Sequence, residues 1–384
     1  MDGTFKLPFY VKFACVLLSI LILGYLFILG QTILVPLILG LLFALLLLPV
    51  AVFLERKLKF PRSLASIISP VLFLVVLGLV IYFLGMQLSK LSAEWPAFES
   101  QLKTSFEQMQ VWVQQQFGIK QSEQLDYITE TAQKSVSTGT GVLGQVLLSM
   151  SSIFVLLIFT FLYTFFLLLY RKHIVKFLII NFAKDHHATV MDAVTSIQYM
   201  VKKYLIGLFL QMLIVGGLTF IALTIVGVKY AFMLAVITGL LNVLPYVGIA
   251  TAMLLSCIIT FATGNTSHVL FVFISLVVIH AIDGNFVMPK IVGSKVKVNS
   301  LFAMIGIVLG EMIWGISGMF LAIPALAICK IVFDRVQGLM PWGFLLGEED
   351  EEPPMFKNIL KKLFPDKKAE QKALEQLDDA NDIK

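Results

Sequence analysis

Charge is what this sequence has least of. Asp, Glu, Lys and Arg make up 14% of its 384 residues, and 58% are hydrophobic; soluble domains run at about 25% and about 45–50%. A soluble fold does not fit that balance. Cysteine is nearly absent too: Cys15, Cys257 and Cys329 each lie in an apolar segment, where a small buried hydrophobe is the reading and a disulfide or metal site is not. There is no His-Glu-x-x-His pattern and no glycine-rich phosphate loop ending in Lys-Ser or Lys-Thr, so neither a metal nor a nucleotide cofactor is expected. The net charge is only +5, and no basic run is interleaved with exposed aromatics, which leaves nucleic acid an unexpected partner.

What the chain has instead is long apolar runs. Val16 to Leu34, Leu64 to Met86, Leu147 to Tyr170 and Val269 to Ile282 are the clearest, near or beyond the roughly 18 uncharged residues that call for a membrane helix. Lys6 and Lys12 before the first run imitate a secretory signal, but the stretch from Phe13 to Gly30 is long and has no small-x-small cleavage site, so it reads as a retained span. The expected fold is an all-α polytopic membrane protein set in the lipid bilayer.

Basic loops stay on the cytoplasmic side of a membrane. Arg56, Lys57, Lys59 and Arg62 crowd one connection, the Arg171 to Lys203 region a second, and Lys290, Lys295 and Lys297 a third. Together with Lys6 and Lys12 these predict cytoplasmic termini and place Gln87 to Gly144 outside. That external stretch carries Leu88, Leu91, Trp95, Phe98, Leu102, Phe106, Met109, Val113 and Phe117 at three- and four-residue steps, the pattern of an amphipathic helix. It packs either on the protein's own outer face or along a seam between subunits. Residues 335–384 form a charged tail, beginning its acidic run at Glu348; a short helix over Met355 to Phe364 is suited to an anionic membrane surface.

After an expected span from Tyr204 to Val226, counting becomes difficult. Ala231 to Ala262 is apolar but interrupted by Asn242, Pro245 and Gly248, and each arm reaches only about 20–25 Å, short of the roughly 30 Å hydrocarbon core. It reads as a re-entrant hairpin. Val269 to Met288 then crosses back, and Ser300 to Val332 repeats the pattern around Gly315, Ile316, Ser317 and Gly318. The expectation is about six full spans plus two re-entrant hairpins in an inverted repeat, a plan that puts a substrate site where the interrupted segments meet. Ordinary long helices kinked by Gly and Pro are the alternative. The expected divisions are 1–86, 87–146, 147–203, 204–262, 263–334 and 335–384.

An ionisable group in hydrocarbon costs several kcal/mol and is kept where it faces a cavity, a partner or a pathway. Asp283 is the first such group, with His280 three residues earlier on the same helical face and Gln211 and Asn285 as amides able to reach inward. Pairing with a lysine, or a core role for His280, is the plainer account. Asn242 and Pro245 mark one hairpin tip and Gly315, Ser317 and Gly318 the other, where interrupted backbone is free to coordinate a ligand or simply turns tightly. Glu311, just before the second tip, is either a coupling carboxylate or an interface residue.

The segments Tyr204 to Leu208 with Gln211, Leu240 to Gly248, Asp283 to Gly293, and Gly315 to Gly318 with Phe320 to Pro324 resemble the autoinducer-2 exporter (AI-2E, PerM-like) family. The resemblance runs from the first span to Phe333. It implies a bacterial inner-membrane permease, oligomeric, that moves a small polar solute such as autoinducer-2, or an ion, with sodium or lithium exchanged for protons in some branches. Glu311 departs from the small or apolar residue expected there. An enzyme is not expected: Gly315 to Gly318 matches the nucleophile motif of rhomboid proteases, but the only nearby base, His280, precedes the serine where that family has it following. A passive channel lined by the same half-helices and a membrane scaffold organised by the external segment are the remaining rivals.

Overall fold

The computed structural model describes residues 8–93, 104, 111, 114–115, 153–245, 247–263, 266–291 and 298–348, so nearly all of the expected external helix and the tail from residue 349 lie outside the described residues. Every regular element among the described residues is helical. In chain order they are α1 (Phe9–Leu29), α2 (Gln31–Arg56), α3 (Arg62–Ala93), α4 (Ile153–Ile180), α5 (His187–Val226), α6 (Ala231–Leu241), α7 (Val247–Thr263), α8 (Thr266–Ile282), a π-turn (Asp283–Val287), α9 (Met288–Ile291), α10 (Ser300–Phe333) and α11 (Met340–Leu346). Among the described residues, seven helices are long and apolar enough to cross a membrane, with α6 and α7 as shorter apolar pieces.

α5 is the spine. Its 40 residues reach about 60 Å, twice the roughly 30 Å hydrocarbon core, so much of the region expected as a loop before Tyr204 is helix instead. From His187 to Tyr204 there is no Gly or Pro to stop it, and Val201, Tyr204, Leu205, Gly207, Gln211, Val215, Thr219 and Leu223 form a buried stripe at helical spacing. One end of that stripe packs with Val35, Leu42, Leu321 and Ala327 of α2 and α10. The other packs with Leu234 of α6 and Val272 and Leu276 of α8. Two cores are thus strung on one helix.

The apolar run read as Val16 to Leu34 is divided at Gly30, whose single residue separates α1 from α2. That joint is shorter than the two to five residues that lay consecutive helices antiparallel, and none of α1's apolar window is buried. A helix apolar on every side gains nothing by turning one face inward. Its link to the rest of the chain includes Trp314, whose indole N–H donates to the Phe27 carbonyl at 2.8 Å while the two rings lie 5.9 Å apart. At the far end of α2, Arg171 of α4 donates to both Glu55 oxygens, at 2.8 and 2.6 Å.

Both interrupted segments fold back on themselves. α6 and α7, 11 and 17 residues long, reach about 16 and 25 Å and are joined through residues 242–246; Gly248 sits so close to the Leu241 carbonyl that a Cβ has no room. α10 is broken at Trp314 (φ −134°, ψ 17°) and Gly315 (φ 58°, ψ −139°), a left-handed position that favours glycine. Its two arms meet where Gly310 and Gly318 press backbone to backbone and where Gly306 faces Ala322 and Leu326.

That crossing yields a direct test. Gly318→Ala forces a methyl into the Gly310 carbonyl and is expected to destabilise the detergent-solubilised protein by about 1–3 kcal/mol, whereas Gly78→Ala, with open space around it, should be neutral or gain up to about 1 kcal/mol. Equal melting temperatures for the two variants would show that the arms of α10 do not touch.

Candidate functional site

Asp283 opens the π-turn at the end of α8, and its carboxylate is 5% exposed. A carboxylate that deep must be compensated. Gln211 of α5 donates through Nε2 to both carboxylate oxygens, at 3.0 and 2.9 Å, and Asn242, just past α6, donates through Nδ2 to Oδ2 at 3.1 Å. Gln211 and Asn242 are themselves 6% and 8% exposed. Among the described residues no Lys or Arg pairs with Asp283, so the plainer lysine account does not describe this site; amide dipoles alone hold the acid.

Glycine sets the spacing of the two amides. α5 and α6 approach so closely that a Cβ on Gly239 would lie 2.7 Å from the Met212 carbonyl and 3.3 Å from the Gly216 Cα. Met212 adjoins Gln211, and Asn242 lies three residues, nearly one turn, beyond Gly239. The close approach therefore brings the two amides to one level, facing the first residue of the π-turn. π-turns of this kind replace the regular i→i−4 ladder locally and recur at functional sites; here the Met288 N–H donates to the Asp283 carbonyl.

Unused hydrogen-bonding capacity surrounds the cluster. Asn242 Oδ1 is buried with no protein partner, as are both ring nitrogens of His280, one turn before Asp283. The hydroxyls of Thr219 and Thr238 are in the same condition, although Thr224, Thr251 and Thr260 all donate back to the carbonyl four residues earlier. Buried polar atoms are nearly always satisfied; of these, Asn242 Oδ1 belongs to a residue that itself bonds Asp283, and His280 lies one turn before it. Sequence reasoning passed over the two threonines; their signal is position, Thr219 on the α5 stripe two turns from Gln211 and Thr238 one turn before Asn242.

The other expected residues are scattered. Asn285 is exposed and donates to the Ala281 carbonyl of its own helix; two residues from Asp283 is about 200° around a helix, the opposite side. Glu311 is exposed as well, Pro245 sits half-buried in the first hairpin's turn, Gly315 forms the second tip, Ser317 is half-buried and Gly318 is consumed by the arm crossing. Neither nitrogen of His280 has a hydrogen-bond partner, so no serine–histidine pair is formed with Ser317, as nucleophile activation requires.

Gln211→Leu removes two of the three hydrogen bonds to the buried carboxylate, and thermal unfolding in detergent should report a loss of about 1.5–3 kcal/mol. Asn285→Leu, at an exposed position of the π-turn that carries Asp283, is expected to stay within about 0.5 kcal/mol. Indistinguishable losses from the two variants would dissolve the cluster.

The chain is 26% identical over 325 residues to the AI-2 transport protein TqsA of Escherichia coli K12, covering 83% of this chain and 91% of that one. It is 25% identical over 302 residues to the putative transport protein YueF of Bacillus subtilis, covering 76% and 81%. With the putative transport protein YrrI of Bacillus subtilis the identity is 32% over 133 residues, a match that spans 36% of that protein's length and 34% of this chain. The model of the AI-2E family transporters matches residues 16–338, and this multi-pass, helical chain belongs to that family.

Proposed function

We propose that the protein is a secondary transporter whose solute and coupling site is the Gln211, Asn242 and Asp283 cluster. The observation that carries this is a single carboxylate, buried between two apolar cores and held by neutral amides, at the π-turn that separates the two helical hairpins. An acid so placed is held by hydrogen bonds from two side-chain amides in apolar surroundings, where an ionisable group is kept mainly for a partner, a cavity or a pathway. The solute is a small polar molecule such as the autoinducer-2 in TqsA's name, exported at the expense of an ion gradient.

The hairpins support an inverted repeat, α5 with α6 and α7 against α8 with α10, and the end of the first hairpin's α6 lends Asn242 to the site. Basic loops support an inner-membrane orientation with both termini cytoplasmic, and the bare surface of α1 suits a homo-oligomer. Sodium or lithium exchange for protons is a second reading, favoured by the unused Asn242 Oδ1 beside the carboxylate, since hard cations take oxygen ligands.

Asp283→Asn keeps size and removes titration. In proteoliposomes offered a panel of solutes under imposed proton and sodium gradients, the variant should lose gradient-driven accumulation while inserting normally; unchanged accumulation with unchanged pH dependence would falsify coupling through Asp283. Orientation is read separately: a cysteine at Gln115 should react with impermeant thiol reagents from outside the cell, and labelling only from the cytoplasmic side reverses the topology.

A further inference from the structure

Between α2 and α3 the chain turns through residues 57–61, and this short loop is unlike the other connections. Arg56, Lys57, Lys59 and Arg62 put four cations within seven residues, and Leu58 and Phe60 alternate with the lysines. Arg56, Lys57, Leu58, Lys59 and Phe60 are all exposed. None of the four cations meets a carboxylate among the described residues; Lys57 lies over the Phe53 ring, 5.3 Å from its centroid, and the neighbouring Glu55 is taken by Arg171. Among the described residues, the charge of this loop is therefore unbalanced.

Lys59 adds a second, independent observation. Its φ is 56°, and it is the one non-glycine residue with positive φ among the described residues. The left-handed region is where a glycine relieves strain, so a lysine held there tolerates a backbone cost that its side chain must justify. The loop is nonetheless well formed, with the Phe60 N–H donating to the Leu54 carbonyl at 3.1 Å. A stray basic loop, retained only because positive charge resists translocation, requires the cations but neither the exposed apolar residues between them nor a strained lysine.

We propose that the α2–α3 loop is a binding site for anionic phospholipid headgroups at the membrane surface. Arg56, Lys57, Lys59 and Arg62 meet the phosphates, while Leu58 and Phe60 enter the acyl boundary beside them. The loop joins two helices apolar enough to span the bilayer, which sets it at headgroup depth. Cation clusters at that depth recognise anionic lipid, each Lys or Arg contributing about a five-fold gain in affinity. This site is independent of what the transporter carries.

Native mass spectrometry of the full chain in neutral detergent, titrated with phosphatidylglycerol or phosphatidylcholine, tests it. Phosphatidylglycerol should bind more tightly than phosphatidylcholine. Lys59→Gly should cut that affinity about five-fold while leaving thermal stability in neutral detergent unchanged or raised, because the strain is relieved. Lys59→Arg should retain the affinity. Equal binding of the two lipids, or undiminished phosphatidylglycerol affinity after all four cations are changed to Gln, overturns the proposal; so does equally tight binding of soluble glycerol phosphate, which would make the loop a free-anion site.

Discussion

A carboxylate cannot be left bare among apolar helices, and much of this structure's central geometry follows from satisfying one. Asp283 is held by Gln211 and Asn242, residues 72 and 41 positions away in sequence. Bringing three helical segments together at one point requires that α5, α6 and the end of α8 meet closely. The hydrogen bonds contribute modestly to net stability, but leaving the acid without them would cost far more. The cluster therefore constrains the helices as much as the helices place the cluster.

Close approach is supplied by glycine. Gly216 and Gly239 let α5 and α6 touch, Gly248 closes the first hairpin, and Gly310 with Gly318 closes the second. In a lipid environment, where helices gain little by hiding apolar surface from one another, backbone proximity through small residues is a principal source of association. Both hairpins use it, and the acid lies on the segment between them.

Much of this was legible in the sequence because polarity is rare in it. Asp283, Gln211 and Asn242 each stood out as an exception in an apolar run, and the two interrupted segments were recognisable because their arms are too short to cross. Their convergence was not legible: the pairing of residue 211 with residue 283 depends on how helices cross, which periodicity does not encode. Asn285 looked equivalent to Gln211 by composition, but it shares Asp283's own turn, is exposed and bonds the Ala281 carbonyl, whereas Gln211 reaches the acid from another helix. Glu311 was conspicuous by charge and is exposed, while Thr219 and Thr238 were inconspicuous because threonine usually bonds its own helix. Lysines after Arg171 suggested a loop, yet lysine is a good helix former: Lys172 and Lys176 lie within α4, and Lys202 and Lys203 within α5.

The central claim is that a transported solute occupies the space beside Asp283. Carbodiimides modify carboxyl groups in their protonated form in apolar surroundings, so peptide mass spectrometry after treating membranes with a hydrophobic carbodiimide reads the site itself. The account predicts modification at Asp283 that a transported solute slows, and that solutes which are not transported leave unchanged. Modification of Asp283 at the same rate with and without saturating transported solute would contradict it.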